Sequence, residues 1–368
     1  MLIFRKTLKI TAVLLSAFIL SSCSGFNTPE FAKDTLRSLS KEEKELIALN
    51  AEAEYVPNSV NLQGYYPSKV CYIEETDTLF YSDNENLYQL TGGKTVTLFN
   101  TEAAALNAAD GNLFFIAVEG GNGSSLCGSV YRFDLKEQKL QKILNEQVLG
   151  ISVYSGNIFY FVLETEDNSE KIVCYRCDYN GKNIEELDGF AFNQENGILP
   201  VFFRNGEEKG IYLENTVSGE KSLLYDDVDL YERTLAFCGD YIYALANVDT
   251  SVSDNPSMVV TNSCIKKIKI ADSSVTEIPF GINLYIADYT VCGDVLYAYD
   301  NMYNTVLKVT PDGTKLGYSA AGSGYSVYRA IYSCGGEVYA MKTNNKLYRL
   351  SFLEEDGKRI VAEELLEP

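Results

Sequence analysis

Val291-Cys-Gly-Asp-Val-Leu-Tyr-Ala-Tyr-Asp300, followed by Val306-Leu-Lys-Val-Thr-Pro-Asp-Gly-Thr-Lys315, decides how this 368-residue chain folds. A Gly turn leads into a run that is apolar at every position from Val295 to Tyr299. Such a run suits a strand covered on both faces. The next segment, Val306-Leu-Lys-Val309, alternates. It ends in Asp312-Gly313, the pairing that a tight type I′ hairpin selects because both central residues need positive φ.

Degraded copies of this unit recur along the chain. A turn of the Gly-Asn or Gly-Asp kind precedes an apolar strand at Asp77, Gly111, Gly156, Gly197, Gly239, Gly293 and Gly335, with gaps of 34, 45, 41, 42, 54 and 42 residues. A hairpin marker follows in each unit: Gly92-Gly93, Lys136-Glu137, Asn180-Gly181, Ser218-Gly219, Asp272-Ser273, Asp312-Gly313 and Asp356-Gly357. Two markers in register, seven times, predict an all-β chain of repeated four-stranded sheets, a β-propeller. Seven blades are expected, with six or eight as alternatives because ring closure leaves no local signature. A helical repeat is excluded, since the markers leave only four to eight residues per element.

The strands fit their places in a blade. Leu113-Phe-Phe-Ile-Ala-Val118, Ile158-Phe-Tyr-Phe-Val-Leu163 and Tyr241-Ile-Tyr-Ala-Leu-Ala246 are apolar throughout, as a sheet sandwiched between neighbours requires. Val130-Tyr-Arg-Phe-Asp134, Cys174-Tyr-Arg-Cys-Asp178 and Leu347-Tyr-Arg-Leu350 put Arg on the face opposite their Tyr, which suits a strand further out. These Tyr-Arg strands and Asp-Gly hairpins resemble the low-density-lipoprotein-receptor-like β-propeller domains of unknown function in bacterial surface lipoproteins, over about residues 69–363. That resemblance implies a binding or scaffold role and brings no catalytic residue with it. The chain departs from it in having no Trp, and the unit at 190–225 is poorly patterned.

Composition narrows the function. The chain is 46% hydrophobic, enough for a large core. Its formal charge is −20. Without Arg5, Lys6 and Lys9 the remainder stands at −20 − 3 = −23, which repels nucleic acid. There is no His, so a Ser-His-Asp triad is excluded and the commonest metal ligand is missing.

Residues 1–22 read as an address. Arg5, Lys6 and Lys9 form a positive region, and Ile10 to Leu20 is an apolar run too short to span a membrane as a lone helix. Leu20-Ser21-Ser22-Cys23 resembles a lipobox, which implies lipidation of Cys23 and anchoring at an extracytoplasmic membrane face. Residues 23–68 are expected to be a partly helical stalk that either spaces the ring from the membrane or docks on it. Thr28-Pro29-Glu30 has helix-start chemistry, and Ser40-Lys-Glu-Glu43 is a capping-box pattern.

Candidate site residues follow from blade geometry. Asp83, Glu119, Glu164 and Asp300 each follow an apolar second strand, at the end of a propeller where ligands usually bind. Tyr303 lies close to Asp300 and can stack on a sugar or peptide. Loops are expected at 83–86, 119–129, 164–170, 247–262 and 300–304. No metal or cofactor is expected. Cys174 and Cys177 have zinc-like spacing, but side chains three apart on a strand point to opposite faces. Cys238, Cys292 and Cys334 share one slot in three blades and read as small buried hydrophobes. A Cys127–Cys264 bridge is conceivable. The leading expectation is a non-catalytic extracytoplasmic lipoprotein that binds a protein or cell-envelope glycan. The alternatives are a polysaccharide-acting enzyme using two carboxylates and an assembly scaffold resembling the propeller lipoproteins of outer-membrane biogenesis.

Overall fold

A computed structural model describes residues 29–53, 68–118, 127–154, 156–166, 169–187, 190–191, 198–203, 210–215, 218, 220–226, 230–252, 259–280, 286–320 and 327–366. Cys23, Glu119 and residues 54–67 lie outside the described residues.

Seven four-stranded antiparallel units follow one another. Blade 1 comprises Val70–Ile73, Thr78–Ser82, Leu87–Thr91 and Lys94–Phe99. Blade 2 comprises Ala103–Ala109, Asn112–Val118, Gly128–Asp134 and the first part of the long strand Lys139–Tyr154. The second part of that strand opens blade 3, which continues through Asn157–Glu166, Ser169–Asp178 and Glu185–Leu187. Blade 4 is Phe190–Ala191, Ile198–Phe203, Gly210–Asn215 and Lys221–Tyr225. Blade 5 is Leu230–Cys238, Tyr241–Val252, Val259–Lys269 and Val275–Pro279. Blade 6 is Ile286–Cys292, Val295–Asp300, Thr305–Val309 and Lys315–Ser319. Blade 7 is Tyr328–Cys334, Glu337–Lys342, Leu347–Glu355 and Lys358–Leu365, joined to blade 6 by one bridge, Ser319 to Ile360.

The core is divided among the seams between blades. One cluster joins blades 1 and 2, one joins 2 and 3, and one spans 3, 4 and 5. Others join 5 to 6 and 6 to 7. The last closes the ring: Val70 and Tyr81 of blade 1 share a cluster with Tyr332 and Tyr339 of blade 7. Closure is therefore by face packing, since each of blades 1 and 7 takes all four strands from its own stretch of chain.

The turn markers do the work their chemistry predicts. Asp77, Gly111, Gly156, Gly239, Gly293 and Gly335 all have positive φ, and Gly197 lies outside the described residues. A second regularity sits inside the blades. The third residue of the second strand is aromatic in six blades, and a long polar side chain stands opposite it on the third strand. The pairs are Phe80 with Gln89, Phe114 with Arg132, Phe159 with Arg176, Tyr243 with Lys267, Tyr297 with Lys308 and Tyr339 with Arg349. These rungs face the next blade, which is why the Arg of each Tyr-Arg strand lies opposite its Tyr.

Polar side chains on the first strands latch neighbouring blades. Asn107 of blade 2 donates to Ile151 O at 3.4 Å and accepts from Val153 N at 3.4 Å in blade 3. Asp288 of blade 6 accepts from Ile331 N of blade 7 at 2.7 Å. Such bonds satisfy buried polar groups where first strands meet without a ladder.

Two expected loops are strands instead. Residues 164–170 lie mostly in a hairpin, with Glu164 opposite Lys171 and Glu166 opposite Ser169. Much of 247–262 extends a blade 5 hairpin, with Asn247 opposite Ser263 and Val252 opposite Val259. Loop-like composition misled here, because the ladder begun by Tyr241–Ala246 simply continues.

The N-terminal helices, Glu30–Ser38 and Lys41–Ala48, dock on the ring. Ser40 and Glu43 form the capping box, with bonds of 3.2 Å and 2.7 Å. These bonds hold the Glu43 carboxyl below its usual range. Pro29 is the N-cap of the first helix, one position later than its sequence suggests. Ala32, Leu39 and Ile47 are buried in the seam between blades 1 and 2. Phe31 meets the edges of Phe99 at 6.1 Å and Tyr131 at 5.3 Å. Among the described residues no helix is long and apolar enough to cross a membrane.

Candidate functional site

Strands alternate in direction, so the turns between second and third strands emerge at the same end as the connections between blades. The contacts agree. Lys69, just before blade 1, reaches Asp83 O in the turn after the second strand at 3.4 Å and pairs with Glu102, just before blade 2.

The acids at this end build turns. Asp83 accepts from the backbone of Glu85 at 2.8 Å and Asn86 at 2.7 Å, and from Tyr88 Oη at 3.2 Å. Asp300 is fully buried and accepts from Met302 N at 3.0 Å. Glu164 lies on a strand and accepts from Tyr175 Oη at 2.6 Å.

The aromatic residues flanking Asp300 divide. Tyr299 is buried, and its hydroxyl donates to Asn304 Oδ1 at 2.8 Å while accepting from Tyr328 N at 3.3 Å. The same Asn304 oxygen accepts from Val327 N at 3.1 Å. These bonds tie turn 300–304 to the connection into blade 7. On the turn they hold, Tyr303 is 60% exposed and Met302 50% exposed. Asp300 and Tyr303 thus act together: the acid shapes the turn and the Tyr is displayed.

Sequence reasoning missed Met302 and Lys69. Lys69 is fully buried, with its pKa lowered by burial against the opposing pull of Glu102. A single Lys before a short strand carries no signal that it is inside. Sequence reasoning also missed a cavity of about 290 Å³ at the other end of the ring, between blades 5 and 6, lined by Tyr241, Tyr243, Lys267, Glu277, Asp294 and Lys315 among others.

Among the described residues no group of three or more Cys, Asp or Glu is placed to hold a metal ion. The eight described cysteines are thiols, so Cys127 and Cys264 are not bridged. Cys174 packs in the core of blades 3 to 5 and Cys177 in that of blades 2 and 3, on opposite faces.

No family model matches the chain, and a search of curated proteins finds no match. Solved structures do resemble it. Hsv2 of Kluyveromyces lactis superposes with a TM-score of 0.52 at 11% identity, over 81% of this chain and 97% of its own. The chain folds as a β-propeller. Hydrazine synthase of Kuenenia stuttgartiensis gives 0.51 at 13% identity, over 81% and 97%. An acylaminoacyl peptidase of Pyrococcus horikoshii gives 0.51 at 14% identity, over 88% of this propeller and 54% of the peptidase chain. At such identities the likeness is one of fold.

Proposed function

We propose that this propeller is a lipid-anchored, extracytoplasmic protein that binds a protein or cell-envelope component and performs no chemistry. The observation that carries the reading is the Met302–Tyr303 pair, exposed on a turn pinned by Asp300 and Asn304. Rigid display of an aromatic beside a Met lowers the ordering cost of association and supplies an anchor. The lipobox-like Leu20-Ser-Ser-Cys23 supports the anchor, with the lipid on Cys23. Replacing Cys23 by Ala should move the protein from the membrane fraction to the soluble one; retention in membranes refutes the anchor.

A second reading, a polysaccharide-acting enzyme, is favoured by one observation: Glu277 and Asp294 line the same cavity. Incubating residues 23–368 with purified cell-wall polysaccharide separates the two. Binding predicts retention on the polymer or its attached proteins with no new reducing ends. Release of reducing ends that is lost in Glu277→Gln or Asp294→Asn establishes the enzyme.

A further inference from the structure

In four rungs the polar member has a partner that the chain itself supplies. In blade 3 Arg176 pairs with Glu185, which stands opposite it on the fourth strand. In blade 7 Arg349 pairs at 3.6 Å with Glu364, in the same position. In blade 2 Arg132 donates at 2.8 Å to Gln141, again directly across. In blade 1 Gln89 donates to Leu46 O of the docked helix at 3.0 Å. Blade 6 has Leu316 opposite its Lys308, and there Phe352 of blade 7 covers the rung, 4.7 Å from Tyr297.

Blade 5 has neither partner nor cover. Thr276 stands opposite Lys267, and the acid one residue on, Glu277, is taken by Lys266. Lys267 Nζ lies 4.2 Å from the Tyr241 ring centroid and 5.6 Å from that of Tyr243. Among the described residues its ammonium has neither a carboxylate nor a hydrogen-bond acceptor. Lys267 and Thr276 instead line the cavity of about 290 Å³ between blades 5 and 6. Two more residues of its lining carry polar groups without a partner. Tyr243 is only 3% exposed, yet its hydroxyl has no hydrogen bond among the described residues. Burial first, and then the nearby Cys238, Tyr241 and Asp294, raise its pKa, so it stays protonated and able to donate. Asp294, on the blade 6 wall, is an exposed acid with neither cation nor donor among the described residues. Lys267 and Asp294 therefore line one cavity with opposite charges and do not pair with each other. The remaining two charges of the lining are engaged, Glu277 by Lys266 and Lys315 by Pro279 O.

We propose that this cavity binds a free α-amino acid, its carboxylate held by Lys267 and the Tyr243 hydroxyl and its ammonium by Asp294. The carboxylate takes the place that Glu185 and Glu364 hold in blades 3 and 7. Unlike charges in one cavity select a ligand that carries both signs over a simple anion or cation. Leu296 and Val309 are each only 2% exposed, so recognition rests on the charged ends rather than on an apolar floor. Charge-assisted hydrogen bonds at both ends supply the affinity. The volume lies at the lower limit of small-molecule pockets, roughly 300–1,000 Å³, which suits a monomer. The inference is independent of the Met302–Tyr303 face, which lies at the opposite end, and it gives Asp294 a role in binding rather than in hydrolysis.

The probes are the common free α-amino acids, added one at a time to the full chain while its melting temperature is read, with N-acetylglucosamine as the comparison. A ligand that binds only the folded state raises that temperature. At least one amino acid should do so, and its affinity is then measured by isothermal titration. Binding should weaken at least tenfold in Lys267→Gln and in Asp294→Asn, and severalfold in Tyr243→Phe. It should weaken at least tenfold as well when the ligand is N-acetylated or when its carboxylate is amidated. Lys267 and Asp294 both reach solvent, so their variants should melt at the wild-type temperature without ligand. No shift with any amino acid overturns the proposal. So does a shift with N-acetylglucosamine alone, which makes the cavity a sugar site, or binding that ignores Lys267→Gln or N-acetylation. None of these outcomes bears on retention through Met302 and Tyr303, so the two readings fail separately.

Discussion

Asp288 shows what a buried latch does to pH dependence. Its carboxyl is fully enclosed, accepting from Tyr289 N at 2.8 Å and Ile331 N at 2.7 Å, and burial pushes its pKa well above the usual carboxylate range. A raised folded pKa means the native state holds a proton that the unfolded chain has released. The stability it contributes is complete below about pH 4 and is lost as pH rises through the folded value. Wild-type urea midpoints should therefore fall from pH 4.5 to pH 8 more steeply than those of Asp288→Asn; parallel slopes would refute the assignment. Gly335 gives a second prediction. At φ +57°, a Cβ there would lie 2.8 Å from the Tyr72 ring of blade 1. Gly335→Ala should cost about 1–3 kcal/mol by chemical denaturation, through strain and overpacking at the closing seam. The turn glycines and the Tyr-Arg alternation were legible because each depends on local backbone geometry. The inward fate of Lys69 and Asp300 was not, since both are charged types normally read as surface.

At the scale of elements, the N-terminal helices illustrate where local reading stops. The Ser40-Glu43 capping box was legible from four residues. Whether they dock or act as a spacer was left open, because docking depends on a groove made by Phe99, Phe115 and Tyr131, which are distant in sequence. Phe31 is the wedge between helix and groove. Phe31→Ala should lower stability by about 2 kcal/mol, less than the roughly 3–5 kcal/mol of a fully buried Phe because Phe31 is only partly enclosed. Thermal or urea unfolding measures this; an unchanged midpoint would mean the helices are loosely attached. The hairpin at 247–262 teaches the converse. Ser, Thr, Asn and Asp suggest loop by composition, yet pairing from Ala246 onward carries Val252 and Val259 together. Removing 249–261 should leave the core of blade 5 intact, because Ile242, Ala244 and Ile265 lie outside the excised ladder.

At the scale of the molecule, the ring is held by its seams. Blade 7 supplies one wall of the closing seam through Tyr332, Tyr339 and Met341, so truncation after residue 320, which removes the whole blade, should expose Val70, Tyr81 and Tyr88 together. Loss of the whole β-sheet circular dichroism signal is expected, rather than a stable six-bladed remnant. The account's functional claim is most directly tested by retention of residues 23–368 on isolated cell envelopes, comparing wild type with Met302→Ser/Tyr303→Ser. Both side chains face solvent, so the double variant should fold with wild-type stability to within about 0.5 kcal/mol. The account predicts that the wild type is retained and the variant washes off. Equal retention of the two would contradict it.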